Sequence, residues 1–164
     1  MLKKLILFCA LLMFVTFAVA GVSVAVGLSG EMSVLSLRGD TSKLTHDQVV
    51  ELERVGKWMD RDIIKQLKRA GFKAKLIKER KDFKGAGHLL IIDVAKFKAG
   101  NRAARAFIGF GAGASSLDLK YNLLDSHGKS LATWNDGAGS SRGGTYCAQT
   151  LNRHVIKKLK EIMK

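Results

Sequence analysis

The chain has 164 residues, 47% hydrophobic and 26% charged. That composition suits one globular domain with a real core and excludes a disordered or low-complexity chain. With 28 Lys and Arg against 14 Asp and Glu, the formal net charge is +14, so anionic partners are expected.

Lys3 and Lys4 open a stretch, Leu5 to Gly30, that holds no charged side chain. Leu5 to Ala20 is apolar apart from Thr16 and ends in Ala18-Val19-Ala20, the small-x-small pattern of a cleavage site. Residues 1–20 therefore read as a secretory signal peptide. The rival reading is an uncleaved anchor extending to residue 28, because about 20 apolar residues span a bilayer. Val22, Val24 and Val26 alternate with smaller residues, which favours a first strand after cleavage. Both readings put the remainder of the chain across the membrane, periplasmic or otherwise exported, or anchored to the inner membrane by residues 5–28. The body keeps +12, since Lys3 and Lys4 account for two charges and no acid precedes Glu31. Export removes nucleic acid from the partners and leaves lipid headgroups, anionic glycans or an acidic envelope protein. Cys9 lies inside the apolar core, where it suits no lipoprotein, and it leaves with the leader; Cys147 then has no intrachain partner.

Residues 21–164 are expected to form one domain. Thr45 and Gln48 make a capping box, Asp47 sits in the first turn, and Val49, Leu52, Met59, Ile63, Leu67 and Ala70 share a face. Lys68 and Arg69 in the last turn and Gly71 after it end a helix over 45–70. A short strand follows near 73–78, then a loop through Lys84 to Gly87. His88 to Phe97 is apolar in both alternating sets, as in a central strand covered on both faces. Ser116 to Leu123 alternates without fault, and Asp125-Ser126-His127-Gly128 connects it to a strand over 130–134. A Gly/Ser loop is expected over 136–144. A last helix carries Cys147, Leu151, Val155, Leu159 and Ile162 on one face. With no proline, turns fall to glycine, Asn and Asp. The order predicts an α+β, two-layer domain with a predominantly antiparallel sheet of about five strands and two main helices.

Between Ile91 and Leu124 the chain runs through Lys96-Phe97, Gly100-Asn101-Arg102-Ala103-Ala104-Arg105, Gly109-Phe110-Gly111-Ala112-Gly113 and an alternating strand, with Gly128-Lys129 after it. This pattern resembles the bacterial family known as domain of unknown function 4410. The resemblance implies an exported or lipid-anchored envelope protein and confers no activity.

Arg102 and Arg105 precede an apolar, glycine-rich run containing Phe107, Ile108 and Phe110. It reads either as a segment that inserts into a membrane or a partner's groove, with the arginines at the anionic rim, or as a β-hairpin or short helix packed on the core. The same glycines lack the third glycine and the following helix of a dinucleotide fingerprint. Gly139-Ser140-Ser141-Arg142-Gly143 matches a nucleophile elbow, yet only His154 and Glu161 lie downstream, in the wrong order for that fold. Arg142, Gly143, Gly144 and Thr145 at the last helix's start form a weak anion site. His46, His88, His127 and His154 sit on separate elements without metal-ligand spacing. No cofactor is expected. Asp93 is an acid within an apolar strand. Basic residues are organised: Arg54, Lys57, Arg61, Lys65 and Lys68 form a stripe on the first helix, as do Arg153, Lys157, Lys160 and Lys164 on the last.

The favoured reading is a non-enzymatic envelope protein that docks on a membrane surface or an envelope partner. A soluble module for an anionic ligand ranks second and a serine esterase last; self-association stays open.

Overall fold

The computed structural model describes residues 30–100 and 113–164. The strand expected over 22–26 lies outside them. In chain order the elements are β1 (Gly30–Leu37), α1 (His46–Arg69), β2 (Phe72–Ile77), a turn of 3₁₀ helix (Arg80–Asp82), β3 (His88–Lys98), β4 (Ser115–Leu124), β5 (Ser130–Ser140) and α2 (Gly144–Ile162). The five strands form one sheet in the order β2-β1-β3-β4-β5. It is mixed: β1 runs parallel to β2 and β3, while β3, β4 and β5 form a longer antiparallel meander. The fold is the expected α+β arrangement.

Local signals explain most boundaries. Thr45 caps α1, its hydroxyl accepting from the Gln48 amide while the Gln48 side chain accepts from the Thr45 amide. Asp125 closes the β4–β5 connection by accepting from the amides of His127 and Lys129. A register shift between Val94 and Lys96 makes a bulge at Ala95. It returns Phe97 to the face that Leu90, Ile92 and Val94 already occupy.

Both helices cover one sheet face. Leu52, Val55, Met59, Ile63 and Leu67 of α1 and Cys147, Ala148, Leu151, Val155 and Leu159 of α2 pack on alternate residues of β1, β3 and β4. The second face is covered only in part, where Leu35, Ile77, Leu89 and Leu124 meet Phe83 and Ile91. So β3 is central, and its second face is buried at Leu89 but leaves Ala95 exposed. Among the described residues no helix is long and apolar enough to cross a membrane.

The end of β5 departs from expectation. The loop placed over 136–144 begins only after Ser140, because β5 continues through Asp136-Gly137-Ala138-Gly139 and pairs with β4 as far as Ser115. Glycines at 137 and 139 hid the strand. They are tolerated because β5 is an edge strand, and at Gly137 the Asp118 carboxylate occupies the space a Cβ would need.

Three polar groups, one half-buried and two buried, serve the packing. Arg38 donates from Nη1 to Ser36 Oγ (2.7 Å) and from Nη2 to Asp60 Oδ2 (2.6 Å), lying against Gly56, where any side chain would collide with the guanidinium. Asn152 is fully buried between the helices, its Nδ2 donating to Met59 O (3.1 Å) and Asp62 Oδ2 (2.9 Å). Tyr121 stacks on Trp134 (centroids 4.9 Å apart, planes 13° apart), and its buried hydroxyl has no hydrogen-bond partner among the described residues. Burial, reinforced by the Asp136 carboxylate, pushes that hydroxyl far above the ordinary tyrosine range.

A tyrosine pKa raised in the folded state means that stability is intact below the unfolded value, about 10, and is lost as pH rises above it. Tyr121→Phe is expected to change stability at neutral pH by less than about 1 kcal/mol, since it removes an unpaired hydroxyl, and to flatten the alkaline loss in urea titrations. Asn152→Ala is expected to lower stability by about 1–3 kcal/mol, read from the urea midpoint, because Met59 O and Asp62 lose a buried donor together.

Candidate functional site

The connectivity fixes the helix layer. β1 and β5 point the same way in the sheet, and each is followed by a helix that returns across the same face. α1 and α2 therefore run parallel, with their basic stripes turned away from the sheet. Arg54, Lys57, Arg61, Lys65 and Lys68 are all exposed on α1, as are Arg153, Lys157 and Lys160 on α2 and Lys164 beyond it. Arg54 is held by a two-pronged pair with Glu51 (2.7 and 2.6 Å). Lys57, Arg61, Lys65, Lys68, Arg153, Lys157, Lys160 and Lys164 make no ion pair with a described residue; Lys158, on the flank of α2, pairs with Glu161 at 3.3 Å.

Between the helices runs a groove of about 320 Å³ lined by Asp62, Gln66, Arg69, Ala70, Gln149, Arg153, Ile156 and Lys160. Asp62 Oδ2 accepts from Gln66 Nε2 (2.5 Å) as well as from Asn152. The separate stripes read from the sequence are thus two banks of one cationic surface. The groove itself, and Asn152 at its base, were not foreseen. The available signal was a polar residue on the apolar stripe of α2, Asn152 beside Leu151.

At the start of α2, Gly143 is the N-cap with φ +103 and no side chain caps the helix. Gly144 is buried against Val55 and Phe97. The amide of Arg142 donates to Ser140 Oγ (2.9 Å), and the Arg142 guanidinium lies 5.0 Å over the Tyr146 ring. Arg142, Gly143, Gly144 and Thr145 do stand at a helix start as expected, with Arg142 engaged by an aromatic face.

The segment with Arg102, Arg105, Phe107, Ile108 and Phe110 lies outside the described residues, but its root is defined. Ser115 Oγ donates to Ala99 O (2.7 Å), Gly100 and Gly113 both have positive φ, and a Cβ on Gly100 would strike Ser115 and Gly113. Cys147 Sγ reaches Ser115 O at 3.5 Å, and burial pushes its thiol pKa up. The root and the start of α2 therefore share one end of the domain.

The base that the elbow-like Ser141 would need is held away from it. His154 Nδ1 contacts Asp136 Oδ2 at 2.7 Å. Asp136 lies four residues before the end of β5 at Ser140, about 13 Å of strand at about 3.3 Å per residue. Asp93 is half-buried on the partly covered face, in register with Lys120 of β4. Among the described residues no three His, Cys, Asp or Glu side chains cluster as metal ligands.

A family model described as domain of unknown function (DUF4410) matches residues 30–144, and the chain belongs to that family. No curated protein matches. Among solved structures, a single-substitution variant of the PelC dodecamer from Paraburkholderia phytofirmans is similar at 14% identity and a TM-score of 0.51, over 82% of this chain and 89% of that one. A putative neuraminyllactose-binding hemagglutinin homolog from Helicobacter pylori is similar at 11% identity and a TM-score of 0.51, over 82% and 88%. At these identities the likeness concerns the fold.

The separation of the His154–Asp136 pair from Ser141 predicts that a fluorophosphonate probe will not label the native protein at Ser141. Labelling that disappears in Ser141→Ala, followed by mass spectrometry, would contradict this.

Proposed function

We propose that the chain is an exported, non-enzymatic docking domain that lays its cationic helix layer on an anionic surface of the cell envelope. The observation that carries this reading is the row of exposed cations along the two helices. Arg54 is paired with Glu51, while Lys57, Arg61, Lys65 and Lys68 on α1 and Arg153, Lys157, Lys160 and Lys164 on and after α2 make no ion pair with a described residue. Isolated surface charges add little stability, so an aligned row of unpaired cations is a feature of the field the domain presents. Each aligned cation near an anionic bilayer contributes about 1 kcal/mol. The two structural neighbours, one an assembly of twelve and one a homolog of a binding protein, support a fold used for assembly and binding. The segment with Phe107, Ile108 and Phe110 adds an apolar element in this reading, with Arg102 and Arg105 beside it. Anion capture at Arg142 to Thr145 is the weaker alternative, since Arg142 is already stacked on Tyr146.

Vesicle co-sedimentation tests the reading. The protein is expected to bind vesicles containing phosphatidylglycerol, to ignore pure phosphatidylcholine, and to release as salt rises. Replacing Lys57, Arg61, Lys65 and Lys68 with Gln is expected to weaken binding at least about a hundredfold, at about 1 kcal/mol per charge. A quadruple variant that binds as the parent does would remove the helix layer from the docking surface.

A further inference from the structure

We propose that the groove between α1 and α2 is a seat for one phosphate group of a membrane-lipid headgroup; this rests on the docking reading and gives it a defined contact. Arg69 comes from α1, and Arg153 and Lys160 come from α2, so three cations converge from both banks. None of the three has an ion-pair partner among the described residues. Asp62 is the one carboxylate in the lining, and its Oδ2 is already occupied by Gln66 and Asn152. The groove thus keeps two positive charges in excess. The helix C-termini bring partial negative charge nearby, with Lys68 in the last turn of α1 and Lys164 just beyond α2.

The donor chemistry suits phosphate more than a diffuse anionic surface. Guanidinium groups on facing helices present planar forks that engage phosphate oxygens two at a time. Gln66 and Gln149 add neutral amide donors on either bank. Ala70 and Ile156 supply apolar wall, which suits the carbon skeleton attached to a headgroup phosphate. The volume of about 320 Å³ is at the small end of ligand pockets, about 300–1,000 Å³, and fits a headgroup rather than a long polymer. Asn152 fixes both banks at once through Met59 and Asp62, so the cations are held apart by a rigid seam.

The test compares two double variants that remove equal charge from the same helix layer, Arg69→Gln with Arg153→Gln and Lys57→Gln with Arg61→Gln. Soluble glycerol 3-phosphate is the probe for the site, and phosphatidylglycerol vesicles are the probe for the lipid. Glycerol 3-phosphate is expected to raise the thermal midpoint of the parent and of the Lys57/Arg61 variant, with no shift in the Arg69/Arg153 variant. That variant is also expected to bind vesicles roughly tenfold more weakly than the Lys57/Arg61 variant, about 1.4 kcal/mol by the affinity relation. The charge-preserving pair Arg69→Lys with Arg153→Lys should retain vesicle binding and lose the glycerol 3-phosphate shift, which guards against simple misfolding. No shift in the parent, or equal losses in the two Gln variants, overturns the seat. Vesicle binding that still falls with salt in that case leaves the wider docking reading standing, whereas loss of all vesicle binding by the parent removes both. A glycerol 3-phosphate shift in a parent that ignores every vesicle assigns the groove to a soluble phosphate ester and overturns the lipid source.

Discussion

A single buried amide sets the geometry of the exposed side of this domain. Asn152 projects from α2 into the seam with α1 and donates to a backbone carbonyl and to a carboxylate one turn further on. Its Oδ1 has no hydrogen-bond partner among the described residues, so the amide relies on its two donated bonds, and the seam is favourable where both form and poorer in neighbouring positions that would lose them. Apolar packing alone would tolerate sliding, since Met59, Ile63, Leu151 and Val155 offer no directional bond. With the helices parallel and locked, their outer faces are forced into one layer and Arg69, Arg153 and Lys160 into one groove.

The same logic operates at the flank of α1. Arg38 leaves the end of β1 and lies across Gly56 to reach Asp60, with Glu53 3.8 Å from its Nε. The glycine is required by that close approach, not by helix formation, where it is unfavourable relative to Ala by about 1 kcal/mol. Replacing such a pair with well-packed apolar groups is often neutral, whereas removing one partner strands the other. The pair is thus better understood as a positional lock between the β1 end and the helix than as a source of stability. Asp60 and Asn152 lock α1 from opposite flanks, one to the end of β1 and one to its companion helix.

Periodicity made much of the fold legible. Thr45, Gln48 and Gly71 marked the first helix, and Leu117, Leu119, Tyr121 and Leu123 marked β4, because capping and alternation are local codes. The basic stripes were equally visible, since 3.6-residue spacing places them opposite the apolar face. The continuation of β5 through Gly137 and Gly139 was hidden because propensity argues against glycine in strands, while edge position and the Asp118 carboxylate override it here. The parallel pairing of β1 with β2 and β3, the Arg38–Asp60 lock and the inter-helix groove depend on partners far apart in the chain. Asn152 is 93 residues from its Met59 acceptor, and no local pattern announces such a bond.

The fixed root of residues 101–112 constrains how the domain meets a flat surface. Ala99, Gly100, Gly113 and Ser115 are pinned to one another at the end of the sheet where α2 begins. The cationic layer instead runs along the length of both helices, on the side away from the sheet. A surface lying against that layer is parallel to the helix axes, whereas one lying against the root is crossed by them end-on. The root and the cationic layer thus lie on different sides of the domain, one at the end of the sheet and one along the helices.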